Sequence, residues 1–476
     1  MLILSREHLS RFLDSVLILA CCLFIYFYNR VEAVIFVLGI IPLFLVSPRT
    51  TIESLRGKNT AFLWICFIFL VTALVAAFNA VGFEVLTGGG GLSLYVNVVI
   101  VAIFAFWRIQ IIQNLRGIFR YGVVPLLYLI FCMMIFPDWH FSPFVAGCRM
   151  VDVVSLPFGP PLIFSAFTLL SFIGWKNLKG LERFARYGLV ALAIVIAMGI
   201  MDARGILLAL LFCLSAMATY CTFTPSEGQP RASYLIGASV LGVVLGWWYL
   251  SAHGCGVGRL ANVLTLVNNL VGDRLIELLV LATVSFALFF GVRQFKGSDL
   301  LRGGGLGSLP ILALFGATTS FLGYAILPFV GLSYDALGVI PQDGGITPRL
   351  QMYGVAVEHL SGHALLGRGF DYPVSMVKTY VGSGFAHLHS VYLTWYLSGG
   401  VFHLAAGFLF VFGVHFWRNK HYGFDWLVGF CATSLLFGVS SITDNFLVTN
   451  SYVTQYVIII YIMLKLQDEQ RDLEED

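Results

Sequence analysis

Arg204 is the side chain whose surroundings most directly suggest chemistry. It lies in the run GIMDARGILLAL, with apolar residues on both sides and only Met-Asp-Ala between it and the preceding apolar stretch. A charge held at the edge of an apolar segment is a candidate for function, and a guanidinium group at that level suits an anion. Asp202 could instead pair with it, so the sequence leaves a structural Asp–Arg pair and a ligand-binding arginine both open.

A second group of chemically suited residues lies further along the chain. Arg349 follows Pro348 and opens RLQMYGVAVEHL, which we predict to be a short amphipathic helix, and His389 lies in HLHSVYLTWYL at the entry of an apolar run. Singly, a loop arginine is usually solvated and a lone histidine usually packs. Their placement together with Arg204 on one side of a membrane is what favours a site for anion binding and proton transfer.

The same region offers no convincing metal site. His359 and His363 are four residues apart, but Ser361 and Gly362 lie between them and weaken a helical face, and the His-Glu-x-x-His pattern is absent. The His387-x-His389 pair has no carboxylate pattern beside it, and the chain has no Asp-x-Asp motif. We therefore predict a site without a metal.

The composition decides what kind of protein must position these residues. Hydrophobic residues make up 59% and charged residues 11% of the 476 residues, against about 45–50% and about 25% in soluble proteins. This balance excludes a soluble enzyme, a disordered chain and a disulfide scaffold. The net charge of +3 is too small to suggest a nucleic-acid partner.

Long apolar runs recur along the whole chain and predict an all-α polytopic membrane protein of about 12–14 transmembrane helices. The run at 157–173 contains three prolines near its start, so a re-entrant segment is an alternative there. The predicted spans are 12–28, 31–47, 61–81, 92–107, 118–136, 157–173, 187–201, 204–221, 233–252, 274–293, 309–332, 391–414, 424–442 and 446–466.

Most Lys and Arg residues fall on one side of the membrane if the N-terminus is cytoplasmic, as the positive-inside rule requires. The resulting organisation has transmembrane helices 1–11 in residues 1–332 and helices 12–14 in residues 391–466. Between them, residues 333–390 form one long outer loop, and residues 467–476 form an acidic cytoplasmic tail. Arg204, Arg349 and His389 then all face outward.

Three stretches, in this order and over about residues 200–410, carry a resemblance to a known family. The first is the tight turn Ala203-Arg204-Gly205. The second is Arg349, with Tyr353 four positions on, followed by the string Ala364-Leu365-Leu366-Gly367-Arg368-Gly369. The third is His387-Leu388-His389-Ser390-Val391-Tyr392-Leu393. Together they resemble the O-antigen ligase/polymerase superfamily of bacterial inner-membrane proteins.

The resemblance implies a type C glycosyltransferase-like architecture whose long periplasmic loop contains short helices. It implies transfer of a glycan from an undecaprenyl diphosphate carrier to a sugar hydroxyl of the lipid A core, with inversion and without a metal or another cofactor. Arg204 and Arg349 would hold the diphosphate, and His389 would be the base. The further substrate-binding candidates are Arg274, His387, Tyr392 and Asp444.

Two other functions stay open. A polymerase of the same superfamily would join lipid-linked repeats, and one sequence cannot separate its acceptor from that of a ligase. A transporter of lipid-linked glycans is less favoured, because transporters place ionisable groups near the bilayer midplane and often have two similar halves. Here the charges gather at the ends of the spans.

Overall fold

The computed structural model describes residues 60–81, 92–112, 115–120, 122–135, 159–200, 203–223, 229–252, 352–356, 358–360, 364–381, 388–417, 423–443, 446–448 and 450–475. These residues are almost entirely helical, and no strand occurs among them. The predicted spans 12–28, 31–47, 274–293 and 309–332 lie outside this part of the chain.

Thirteen helices organise the described residues, and most coincide with the predicted apolar runs. α6 continues into a π-helical turn at Ile196–Ile200, and a second π-helical turn at Cys431–Leu435 joins α11 to α12. The helices are α1 (Thr60–Val81), α2 (Leu92–Ile111), α3 (Leu115–Arg120), α4 (Val123–Ile135), α5 (Gly159–Leu170), α6 (Gly180–Val195), α7 (Arg204–Phe223), α8 (Ala232–Ala252), α9 (Tyr372–Tyr380), α10 (Val391–Trp417), α11 (Phe424–Phe430), α12 (Leu436–Thr443) and α13 (Asn450–Glu475).

The helices have the length and the surface of a membrane protein. By length and composition, four segments are apolar enough to cross a bilayer: Thr60–Asn79, Ala232–Tyr249, Val391–His415 and Phe424–Ile442. The third of them contains a break in its helical backbone at Gly400. α1 and α8 also expose rows of large apolar side chains, which water would disfavour and lipid would cover. These side chains are Trp64, Phe67, Ile68, Val71 and Val75 on α1, and Val240, Leu241, Val244, Leu245 and Trp248 on α8.

The helix directions bring most of the described cations to one end of the molecule. α2 and α13 run parallel, because Phe106 contacts Tyr461 at 5.7 Å between ring centroids, and the amide of Arg116 further on donates to the Glu469 carboxylate at 2.8 Å. At the same end, the amide of Gly174 donates to Asp425 at 2.9 Å. We call this the basic end; its cations are Arg116, Lys176, Lys179, Arg183, Arg186, Arg231, Lys465 and Arg471.

α5 is a core helix. It has 12 residues, a length of about 18 Å, which is short against the ~30 Å hydrocarbon core of a bilayer. Every side chain from 161 to 170 is buried. α5 is therefore shorter than the predicted 157–173 run and is enclosed by protein from residue 161 to 170.

The predicted span 118–136 is interrupted, and Arg186 gives the physical reason. Gly122, between α3 and α4, has a φ of +69°, and a Cβ there would lie 2.7 Å from a guanidinium nitrogen of Arg186. Arg186 is fully buried and donates to the carbonyl groups of Ser171 and Phe119. Arg186, which the sequence places in an inner loop, is thus buried and links α3 to the turn after α5. α6 begins at Gly180 instead of residue 187.

The acidic tail also differs from its predicted form. α13 stays helical through Glu475 instead of ending near residue 466. Glu469 explains part of this extension, because its carboxylate accepts the amide hydrogens of Leu115 and Arg116 at the start of α3. The start of the predicted tail is therefore packed against the bundle.

Candidate functional site

α10 is a helical hairpin. The ring of Tyr392 stacks on that of Phe408 at 5.1 Å, and a Cβ on Gly407 would lie 2.1 Å from the ring of Trp395. In a straight helix residues 392 and 408 would be about 24 Å apart. The chain reverses at Gly400, which has non-helical backbone angles of φ +69° and ψ −164°. The apolar run predicted as one span at 391–414 is helical, but it forms two arms, 391–399 and 401–417.

The string 364–369 caps the tip of this hairpin. The amides of Arg368 and Gly369 donate to the carbonyls of Leu397 and Ser398, each at 2.8 Å, and the amide of Val401 donates to the Ala364 carbonyl at 2.8 Å. These bonds satisfy carbonyl and amide groups that the ends of the two arms leave open. The segment that carried part of the family resemblance therefore has a clear structural task.

Tyr353 ties together three parts of the sequence beside this hairpin. Its hydroxyl oxygen lies 2.8 Å from the carbonyl oxygen of His389 and 3.0 Å from that of Ile442, near the end of α12. Met352 and Ala356 on the same helical turn are buried against Leu388. The contact joins the Arg349 stretch, the His389 stretch and the end of α12 in one place.

His389 is held in an unusual backbone conformation. Its φ is +54°, in the left-handed region, which costs a residue with a Cβ about 1–2 kcal/mol. Such strain persists only where surrounding contacts enforce it, and it concentrates at functional sites. Here the Tyr353 hydroxyl holds the His389 carbonyl, and the side chain of His389 is half-buried.

α7 brings Arg204 to the level of this cluster. α7 runs antiparallel to α11 and α12, since Tyr220 contacts Phe424 at 6.2 Å and the thiol of Cys213 lies 3.3 Å from the Cys431 carbonyl. Nine residues, about 14 Å, separate Cys213 from Arg204. The same count from Cys431 reaches Ser440, two residues before Ile442. The first residue of α7 therefore lies at the level of the Tyr353 contact, at the end opposite the basic end.

Of the other predicted site residues, the structure describes only Tyr392. The Tyr392 hydroxyl donates to the Gly438 carbonyl at 3.0 Å, so its proton already has an internal acceptor. Its predicted role in substrate binding stays a prediction. Arg274, Arg349, His387 and Asp444 lie outside the described part of the chain, as do Asp202 and the side chain of Arg204.

His403 was not predicted from the sequence. It is fully buried in the second arm of α10, with Nδ1 3.0 Å from the Thr72 hydroxyl and Nε2 3.0 Å from the Tyr95 hydroxyl. One arrangement satisfies all three contacts: Thr72 donates to the Phe69 carbonyl, Nδ1 donates to Thr72, and Nε2 accepts from Tyr95. A lone histidine in an apolar run carries no signal for such a network, which fastens the hairpin to α1 and α2.

No protein-family model matches the chain, and no curated protein matches it. Within the described residues, no three His, Cys, Asp or Glu side chains form a group that could hold a metal ion.

Proposed function

We propose that the protein is an O-antigen ligase-like glycosyltransferase of the bacterial inner membrane, with its site on the periplasmic face. The observation that carries this proposal is the Tyr353 contact, which joins the His389 turn to the end of α12 at the level where α7 begins with Arg204. Described residues from the three stretches of the family resemblance therefore lie at one level of the bundle.

The proposed reaction uses these residues as phosphate ligands and base. Arg204 and Arg349 bind the donor's diphosphate through paired N–H groups and stabilise the charge that develops as the glycosyl C–O bond to phosphate breaks. His389 accepts the proton of the acceptor hydroxyl as that oxygen forms the new bond at the anomeric carbon. Direct attack inverts this carbon and releases undecaprenyl diphosphate, so no covalent intermediate is needed.

Purified full-length protein in proteoliposomes, supplied with an undecaprenyl diphosphate-linked glycan and lipid A–core, tests the proposal. We expect Arg204→Ala, Arg349→Ala and His389→Ala each to lower the rate of transfer at least about 10²-fold. His359→Ala and Arg368→Ala are the matched controls. They lie in the same predicted loop, where His359 bonds to the Val355 carbonyl and Arg368 to the Tyr372 hydroxyl, and they should transfer at nearly the wild-type rate.

The products separate the alternatives. Glycan on lipid A–core supports a ligase, whereas a glycan joined only to a second lipid-linked repeat supports a polymerase. Movement of the donor across the bilayer without a new glycosidic bond would support a transporter. Wild-type transfer by all three site variants would refute the proposed mechanism.

A further inference from the structure

A separate cavity lies at the basic end, between the first halves of α6 and α8. It has a volume of about 710 Å³ and is lined by Trp175, Arg183, Tyr187, Gln229, Arg231 and Tyr234, among others. α6 and α8 run parallel: Tyr187 contacts Tyr234 at 5.6 Å, and further along a Cβ on Gly242 would lie 2.8 Å from the Ala191 carbonyl oxygen. The helices are in contact at that second point, so the cavity is bounded on the side away from the basic end.

The charges in this cavity suit an anion. The guanidinium of Arg183 lies 5.9 Å from the centre of the Trp175 ring, and that of Arg231 lies 5.7 Å from the centre of the Tyr234 ring. The Nε of Arg183 is buried without a hydrogen-bond partner, while another nitrogen of its guanidinium group donates to the Lys176 carbonyl at 3.5 Å. No carboxylate occurs among the described lining residues, and neither arginine forms a salt bridge with a described residue.

The walls of the cavity suit a lipid. Phe184 and Leu241 line it and are 73% and 52% exposed, and Leu241 belongs to the apolar row that α8 presents at its surface. Trp175, Tyr187 and Tyr234 form a continuous aromatic series at the level of the arginines, with ring distances of 5.4 and 5.6 Å. Aromatic and basic side chains at one level are typical of the membrane–water interface.

We propose that this cavity binds the phosphate of an anionic glycerophospholipid from the leaflet at the basic end. Arg183 and Arg231 contact the phosphate oxygens, and the acyl chains lie along the exposed apolar row of α8. This site lies at the end of the bundle opposite His389 and does not depend on the proposed transferase activity.

Native mass spectrometry of the full-length protein, titrated with phosphatidylglycerol or phosphatidylcholine, measures this binding. We expect the wild-type protein to prefer phosphatidylglycerol. The double variant Arg183→Gln/Arg231→Gln should bind phosphatidylglycerol about tenfold to thirtyfold more weakly, because each cation near an anionic headgroup contributes about one factor of five. Lys179→Gln is the control, since Lys179 is an exposed cation of the basic end that does not line the cavity.

Ser233→Glu gives a second test that does not remove an arginine. Ser233 is exposed, lines the cavity and is the second residue of α8, where a carboxylate favours the helix while repelling a phosphate. We expect this variant to lose the preference as well. Unchanged phosphatidylglycerol binding in the double variant and in Ser233→Glu would overturn the proposal. So would displacement of the lipid by excess inorganic phosphate, because the site would then bind a soluble anion.

Discussion

The hydroxyl group of Tyr353 is a candidate for positioning His389, and substituting the residue tests this role. Tyr353→Phe keeps the ring but removes the hydroxyl that contacts the His389 and Ile442 carbonyls. We expect kcat for glycan transfer to fall about tenfold, with the KM for the lipid-linked donor nearly unchanged, and the free energy of unfolding to fall by about 1 kcal/mol. A lower kcat at constant KM indicates a positioning role in the reaction.

Tyr396→Phe is the matched control for this substitution. The Tyr396 hydroxyl also bonds to a carbonyl, that of Leu360 at 3.1 Å, but it does not contact His389 through that bond. It should lose similar stability and keep its kcat. Equal kinetic losses in the two variants would show that the Tyr353 hydroxyl only stabilises the fold.

Glu469 makes stability depend on pH at the basic end. Burial raises the pKa of Glu469 above its ordinary value of 4.5, while the amides of Arg116 and Leu115 and the nearby Lys465 partly oppose this shift. Since the folded-state pKa is the higher one, the neutral carboxyl group stabilises the fold. That contribution is complete below the ordinary pKa and is lost as the pH rises through the raised folded-state value.

Glu469→Gln should therefore match the wild-type protein near pH 4 and become the more stable of the two as the pH approaches 7. Thermal unfolding of both proteins across this range measures the difference, which we expect to reach about 1–3 °C in Tm. A variant that is less stable than the wild type at pH 7 would show that the two amide hydrogen bonds outweigh the cost of burial.

At the scale of the element, Gly400 determines the shape of α10. A Cβ at Gly400 would lie 2.1 Å from the Leu365 carbonyl oxygen, and its φ of +69° disfavours any residue with a side chain. We expect Gly400→Ala to destabilise the protein by about 3 kcal/mol or more in denaturant unfolding. Gly237→Ala on α8, where no atom lies within 4 Å of the added carbon, should be neutral or stabilising by up to about 1 kcal/mol. If residues 391–417 formed one continuous helix, both substitutions would instead stabilise the protein.

The same helix shows how far the sequence could predict the fold. Apolar runs place α1, α7 and α8 within a few residues of their bounds, because burial in a membrane depends mainly on composition. Apolar content is the same on either side of Gly400, so it cannot reveal a reversal of the chain. The Gly399-Gly400 pair was the available signal, but it has meaning only together with the segment 364–369 that caps the hairpin.

For the candidate site, the loop charges predict that Arg204 and His389 lie on one side of the membrane. The helix directions bring the start of α7 and the His389 turn to one end of the described helices. The Tyr353 contact includes a hydrogen bond between residues that are 36 positions apart in the sequence, and the His403 network includes one between residues that are 331 positions apart. Such pairings leave no local pattern in a single sequence, because each partner alone is an ordinary polar residue in an apolar run.

At the scale of the whole molecule, the two ends differ in charge and in proposed role. The basic end contains the buried Arg186, the Glu469 contact and the cavity of Arg183 and Arg231. The opposite end contains the tip of the α10 hairpin and the Tyr353 contact. Because most basic residues of a membrane protein stay on the cytoplasmic side, the proposed transferase site should face the periplasm.

Labelling with a membrane-impermeant maleimide tests this orientation with two matched lysines. Lys378 lies on α9 near the hairpin tip and Lys176 lies at the basic end, and both are exposed. Lys378→Cys should be labelled in intact spheroplasts and Lys176→Cys only after lysis. The wild-type chain, labelled in parallel, gives the background to subtract; of its nine cysteines, the described thiols at Cys66, Cys213, Cys221 and Cys431 are buried. Labelling of Lys176→Cys alone in intact spheroplasts would put His389 on the cytoplasmic side, where lipid A–core acceptors displayed to the periplasm could not reach it.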